Sequence, residues 1–259
     1  MKKYSCYELI IEVTRRCNMR CAHCLRGDAE DQDISFQVID DTLRHFDQIN
    51  TITFTGGEPS LNLQAIRHAL TYCKRRKIPV GSFFIATNGL ENVDGLIKVC
   101  DKWYDYTLFS EYHADKSQMI GHETIERLIS IHNDAYEVTS AVALSSDPYH
   151  GEIPIANLYK LMSRKYFSDM KVHDFKHGVQ ARGRGRGLAN SFYREPTTRL
   201  EFNDENSVEL VYVTYAGNIL ADCDMEFVGM DDVSLGNVSD PTVFEKIYER
   251  QQRDDEEDD

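Results

Sequence analysis

Tyr7-Glu8-Leu9-Ile10-Ile11-Glu12-Val13-Thr14-Arg15-Arg16-Cys17-Asn18-Met19-Arg20-Cys21-Ala22-His23-Cys24 runs from a nearly continuous apolar stretch into a polar loop with three cysteines. Leu9, Ile10, Ile11 and Val13 read as a strand buried on both faces, as in a parallel sheet. Downstream the periods alternate. Phe36, Ile39, Leu43 and Phe46 repeat at helical spacing, and Thr51 to Thr55 is short and β-branched, hence a strand. Leu63, Ile66, Leu70 and Cys73 mark a helix that stops before Pro79. Gly81 to Thr87 is a third strand closed by the turn dipeptide Asn88-Gly89, and Val93, Leu96, Ile97 and Cys100 give a third helix. Trp103 to Ser110 and Glu137 to Leu144 read as strands around a helix carrying Ile125, Leu128 and Ile129. A helix with Ile155, Leu158, Tyr159 and Met162 and a strand near Val172 to Gln180 follow. Six strands alternating with helices imply an α/β fold, a partial (β/α)6 TIM-type barrel.

From about Leu200 the pattern changes. Val208 to Thr214 and Ile219 to Ala221 flank Tyr215-Ala216-Gly217-Asn218 as in a hairpin. Ser239-Asp240-Pro241 can cap a helix whose apolar face is Val243, Phe244, Ile247 and Tyr248. The expected division is a barrel over residues 1–190, a small β-hairpin plus helix extension over 191–252 and a disordered acidic tail over 253–259.

The 259 residues suffice for one buried core without staples. A net charge of -14 argues against a nucleic-acid surface, and no apolar run is long enough to span a bilayer. Seven cysteines, with no secretory signal read at the N-terminus, indicate a reducing, cytoplasmic setting and metal or catalytic use.

Cys17, Cys21 and Cys24 form CxxxCxxC directly after the first strand. Three thiolates on eight residues of irregular chain can converge on three corners of an iron–sulfur cube and leave the fourth iron open to a chelating substrate. A Cys3His zinc site completed by His23 or His113 is the competing reading. Thr55-Gly56-Gly57-Glu58-Pro59 ends the second strand. Two glycines admit a close backbone approach to a ligand, and the following carboxylate or backbone carbonyls can accept from an ammonium.

CxxxCxxC, then GGEP, then Thr87-Asn88-Gly89, each closing a successive strand, resembles the radical SAM superfamily over roughly Tyr7 to Arg186. The resemblance implies a 4Fe–4S cluster on Cys17, Cys21 and Cys24. It also implies S-adenosyl-L-methionine bound near Gly56, Gly57, Glu58 and Asn88, and a 5′-deoxyadenosyl radical that abstracts hydrogen from a substrate. A polar residue ending the fourth strand often touches the ribose in this family. Ser110 fits, and the Ser145-Ser146-Asp147-Pro148-Tyr149-His150 segment is the alternative, with the strand count deciding. In Arg182-Gly183-Arg184-Gly185-Arg186-Gly187, Arg184 is the candidate clamp for a cofactor or substrate carboxylate.

Cys6, Cys73 and Cys100 sit at or beside apolar positions and read as core, and His150, His173 and His177 as satisfied polar residues. Gly217 to Cys223 resembles the start of the SPASM or Twitch extensions that carry auxiliary clusters, yet residues 191–259 supply only Cys223. An auxiliary cluster is not expected, and Cys223 is a candidate bare thiol or hydrogen-atom donor. The extension points to a peptide or protein substrate, with small molecules as the alternative. A reductase, flavodoxin or ferredoxin would supply electrons. A non-catalytic zinc- or cluster-binding interaction module is the rival class.

Overall fold

The computed structural model of the chain describes residues 1–107, 140–146, 149–172 and 178–258. Its first part repeats strand and helix: β1 (Tyr4–Thr14), α1 (Phe36–Leu43), β2 (Phe46–Gly56), α2 (Leu63–Arg76), β3 (Val80–Thr87), α3 (Val93–Tyr104), β4 (Ala141–Ser146), α4 (Ile155–Met162) and β5 (Phe167–Val172). β6 (Val179–Gln180) and β7 (Ser191–Phe192) form a separate two-stranded sheet. The extension supplies β8 (Phe202–Asp204), β9 (Ser207–Val213), β10 (Asn218–Leu220), β11 (Gly236–Asn237) and α5 (Val243–Asp258).

The main sheet runs β11-β10-β9-β1-β2-β3-β4-β5, with β8 paired to β9. β1 to β5 are parallel neighbours in chain order, so their carboxyl ends share one edge. This is the α/β, partial TIM-type barrel, and among the described residues it does not close.

Several expectations are corrected. The sixth parallel strand comes from the extension: β9 pairs parallel with β1, matching Cys6 to Val208 and Ile10 to Tyr212. The stretch expected to be one strand at Val172 to Gln180 is divided between β5 and β6, in different sheets, with 173–177 outside the described residues. The boundary near residue 190 therefore crosses a continuous sheet. Trp103, expected to open a strand, closes α3. Its indole Nε1 donates to the Ile66 carbonyl at 3.1 Å and its ring lies 5.3 Å from that of Phe54. Residues 108–110 of that expected strand and the Ile125 helix lie outside the described residues. Phe46 belongs to β2, because α1 stops at Leu43.

The acidic run expected as a disordered tail continues α5 to Asp258. Arg199 supports it by donating to the Gln251 carbonyl at 2.9 Å and pairing with Asp255 at 2.7 Å. Asp240, an expected cap, accepts from the Thr242 backbone N–H at 2.9 Å. Bonds from Lys246 and Thr242 hold its carboxyl down at about 2.

Alternation fixes the two faces of β1. Leu9, Ile11 and Val13 join Ile39, Leu43, Ile66 and Trp103 in the main core. Ile10 turns the other way, to Tyr212, Leu220, Met225, Phe227 and Met230 of the extension. Cys6, Cys73 and Cys100 are buried, as expected of core thiols.

Candidate functional site

The three motifs meet at the carboxyl edge of β1, β2 and β3, and hydrogen bonds join them. The chain leaving β2 pairs with the chain leaving β1: Gly57 N–H donates to Thr14 O and Glu58 N–H to Arg16 O, both at 2.8 Å. A Cβ on Gly56, at φ 145°, would lie 1.9 Å from Thr14 O, and one on Gly57 would lie 2.2 Å from Arg16 O. The glycines are thus required by the chain's own backbone. On the side where a Cβ would stand, the space is filled by the root of the cysteine loop.

Glu58 is only 2% exposed. One oxygen accepts from Ser60 N–H at 3.1 Å and the Thr87 hydroxyl at 2.7 Å, and the other from Asn88 N–H at 2.8 Å. Three of a carboxylate's roughly four acceptor positions are therefore occupied, two of them by joining the end of β2 to the end of β3 and one within the turn itself. Asn88 continues the chain of bonds, its Nδ2 donating to Asn18 Oδ1 inside the cysteine loop at 2.8 Å. Arg16 anchors the other limb through a two-pronged pair with Asp33 at 3.0 and 2.7 Å.

Cys17, Cys21 and Cys24 are half-buried on this loop, and burial pushes the Cys17 thiol up. Among the described residues, only Asp222, Cys223 and Asp224 bring one ligand atom each within 4.8 Å of one another. Cys17, Cys21 and Cys24 do not form such a group.

The Asp222 group already faces a cationic partner, Arg194, which also pairs with Asp224 at 3.3 Å. The Asp222 carboxylate accepts from Arg194 at 2.9 Å and from the Thr197 and Asp224 N–H groups at 2.8 Å each. Burial lifts the Cys223 thiol to about 11, which keeps it protonated near neutrality.

Ser110, Glu111 and His113 lie outside the described residues, as do Asp147, Pro148, His173 and His177. β4 pairs directly with β3, Ile85 opposite Val142, so the strand next to β3 ends at Ser145–Ser146. The segment after it reaches the cysteine loop: the Tyr149 and His150 rings lie 5.0 and 5.1 Å from that of His23. Arg184 is brought to the loop as well, donating to the carbonyls of Cys21 and Cys24.

A buried ion pair beneath the loop was not legible in the sequence. Glu12, fully buried, accepts from Arg15 Nε at 2.8 Å, the Tyr212 hydroxyl at 2.8 Å and Tyr215 N–H at 3.2 Å. Arg15 also pairs with Glu30 at 3.0 Å and lies over the rings of Tyr215 and Phe227. Its only sequence signal is a charge beside an apolar strand.

The sequence model of the Radical SAM superfamily matches residues 11–140, half of the chain. A 68-residue stretch is 38% identical to an uncharacterized protein of Methanocaldococcus jannaschii, covering 25% of this chain and 24% of that one. Among solved structures, Streptococcus suis SuiB bound to precursor peptide SuiA is similar at TM-score 0.39 and 13% identity, over 93% of this chain and 64% of that one. Native anSMEcpe with bound AdoMet and Cp18Cys peptide is similar at TM-score 0.42 and 12% identity, over 92% and 78%. Among the described residues no helix is long and apolar enough to cross a membrane.

Proposed function

Because the chain belongs to the radical SAM superfamily, we propose that it holds a 4Fe–4S cluster on Cys17, Cys21 and Cys24 and uses it to cleave S-adenosyl-L-methionine reductively. The observation that carries this reading is the stitching of all three motifs around one loop, through Gly57 to Thr14, Glu58 to Arg16 and Asn88 to Asn18. When bound, the reduced cluster supplies the electron that splits the cofactor into methionine and a 5′-deoxyadenosyl radical, which takes a hydrogen atom from the substrate.

The chain's own residues orient and shield. Glu58 fixes the turn after β2 against Thr87 and Asn88, and the backbone carbonyls of that turn, with the acceptor position Glu58 retains, would receive the methionyl ammonium. Ser145, ending the strand beside β3, takes the ribose role in preference to Ser110. The extension, anchored by β9 on β1, covers one side of the barrel and excludes water. A peptide or protein is the leading substrate class because residues 217–223 resemble a SPASM-type extension, and a one-electron donor protein completes the cycle.

Anaerobic reconstitution tests the reading. The chain should turn brown and take up about four irons, which occupy alternate corners of the cube. With dithionite it should release 5′-deoxyadenosine slowly from S-adenosyl-L-methionine. Stoichiometric zinc with no iron uptake under strict anaerobiosis would refute it and favour a zinc module.

A further inference from the structure

We propose that Arg184 is a positioning residue that clamps the cysteine loop, rather than a ligand for a cofactor or substrate carboxylate. The inference rests on the reading that the loop holds a cluster.

Two of the three loop cysteines have their carbonyl oxygens bound by this one residue. The Arg184 backbone N–H donates to Cys24 O at 3.0 Å, and its Nε donates to Cys21 O at 2.9 Å. Nη1 donates to the Gly27 carbonyl and reaches the Asp28 carboxylate at 2.8 Å. Bonding to Arg184, with Arg20 nearby, holds the exposed Asp28 carboxyl below its ordinary value. A guanidinium suits this task because its donors sit in a rigid planar fork, and charge-assisted bonds to carbonyls are stronger than neutral ones.

The glycine before Arg184 has the same purpose. Gly183 has φ +51°, and a Cβ there would meet Gly27 N at 2.5 Å and the carbonyls of Cys24 and Leu25 at 2.6 Å. The segment can lie flush against the loop only without a side chain. Glu226 then ties the clamp to the extension, accepting from Gly183 N–H at 3.2 Å and pairing with Arg186. Phe227 N–H donates to Arg26 O at 3.0 Å, and Arg26 Nη1 returns a bond to Met225 O at 2.9 Å. Loop, clamp and extension form one bonded unit. An irregular loop has no ladder of its own, so such supports decide how well three thiolates converge.

The experiment uses the full chain, anaerobically reconstituted, as wild type, Arg184→Met, Arg184→Lys and Gly183→Ala. Loss of an outer support typically weakens metal affinity 10- to 100-fold, so iron release to a chelator should quicken by about tenfold or more in Arg184→Met and Gly183→Ala. Cofactor affinity should stay within about threefold, because no ligand contact is removed. Removing a positive charge near the cluster should lower its midpoint potential in Arg184→Met, and Arg184→Lys should restore the potential without restoring slow iron release. Unchanged iron release with a tenfold or greater loss of cofactor affinity would overturn the proposal and make Arg184 a carboxylate ligand. Alkylation of Cys21 and Cys24 in the iron-free chain tests the clamp without any cluster: both should react faster in Gly183→Ala and Arg184→Met. Equal rates would overturn the clamp, whereas a wild type that takes up no iron would refute the cluster reading alone.

Discussion

Replacing Glu12 with glutamine keeps the side chain's size and removes one negative charge from a site with no exposure to solvent. Its partner Arg15 is 2% exposed and would keep its charge. Burial opposes that charge most strongly of any single cause, and Glu12 and Glu30 together outweigh it, holding the guanidinium above its ordinary value. Tyr212 cannot compensate by ionising, since burial pushes its hydroxyl far upward. Breaking one side of a buried ion pair costs about 3–5 kcal/mol, because a buried charge is left uncompensated. Glu30 stays 3.0 Å from Arg15, which puts the expectation at the lower end, near ~3 kcal/mol. For a chain of this size that is a fall in Tm of ~6–12 °C. The assay is urea and thermal unfolding of the cluster-free chain, extended to Arg15→Met and the double variant. Removing both charges together should recover most of the loss, since a buried pair contributes little net stability against apolar replacements. A cost below ~1 kcal/mol for Glu12→Gln, or a double variant as unstable as the sum of the singles, would refute the reasoning.

The remaining predictions concern pH and the motif residues. His45, 1% exposed with Nε2 2.9 Å from Val238 O, has its pKa lowered by burial. The folded state therefore favours the neutral ring. That stability is present above the ordinary imidazole value of about 6.5 and is lost as pH falls through the folded value, so Tm between pH 7 and 5 should fall less steeply in His45→Gln. Gly57→Ala should abolish iron uptake by driving a Cβ into the Arg16 carbonyl, and intact iron with selective loss of cofactor binding would contradict this. Cys17→Ala, Cys21→Ala and Cys24→Ala should each abolish cluster binding, while Cys73→Ala costs about 1 kcal/mol of stability and no iron. Cys223→Ser should retain about four irons and an unchanged reduced-cluster spectrum, and a wild-type count near eight that halves in this variant would establish an auxiliary cluster.

Local signals made the motifs and most of the parallel units legible. Helical spacing found α2 and α3, and the cysteine spacing with GGEP marked the sheet edge where the candidate site is proposed. Trp103 misled because its residue type favours strands, while its packing on Phe54 and its bond to Ile66 O hold it in a helix. The stretch Val208 to Thr214 before its turn announced a strand, but nothing local names its neighbour. Pairing with β1 joins segments some two hundred residues apart, and only the folded chain specifies that. The acidic run after Gln251 read as disorder because composition does not reveal Arg199, which holds the helix end from another element.

Glu58 shows why residue type and partner separate even inside a legible motif. A carboxylate after two glycines serves equally well as a ligand for an ammonium or as an internal stitch, because both uses need the same acceptor oxygens. The sheet order decides between them. With β2 lying between β1 and β3, the chain leaving it must cross between their two ends, against Arg16 on one side and Asn88 on the other. Buried donors there cannot be left unmade, and the nearest acceptor is the Glu58 carboxylate. Its oxygens are therefore largely spent before any ligand arrives, and recognition of the ligand falls to the backbone that those bonds hold in position.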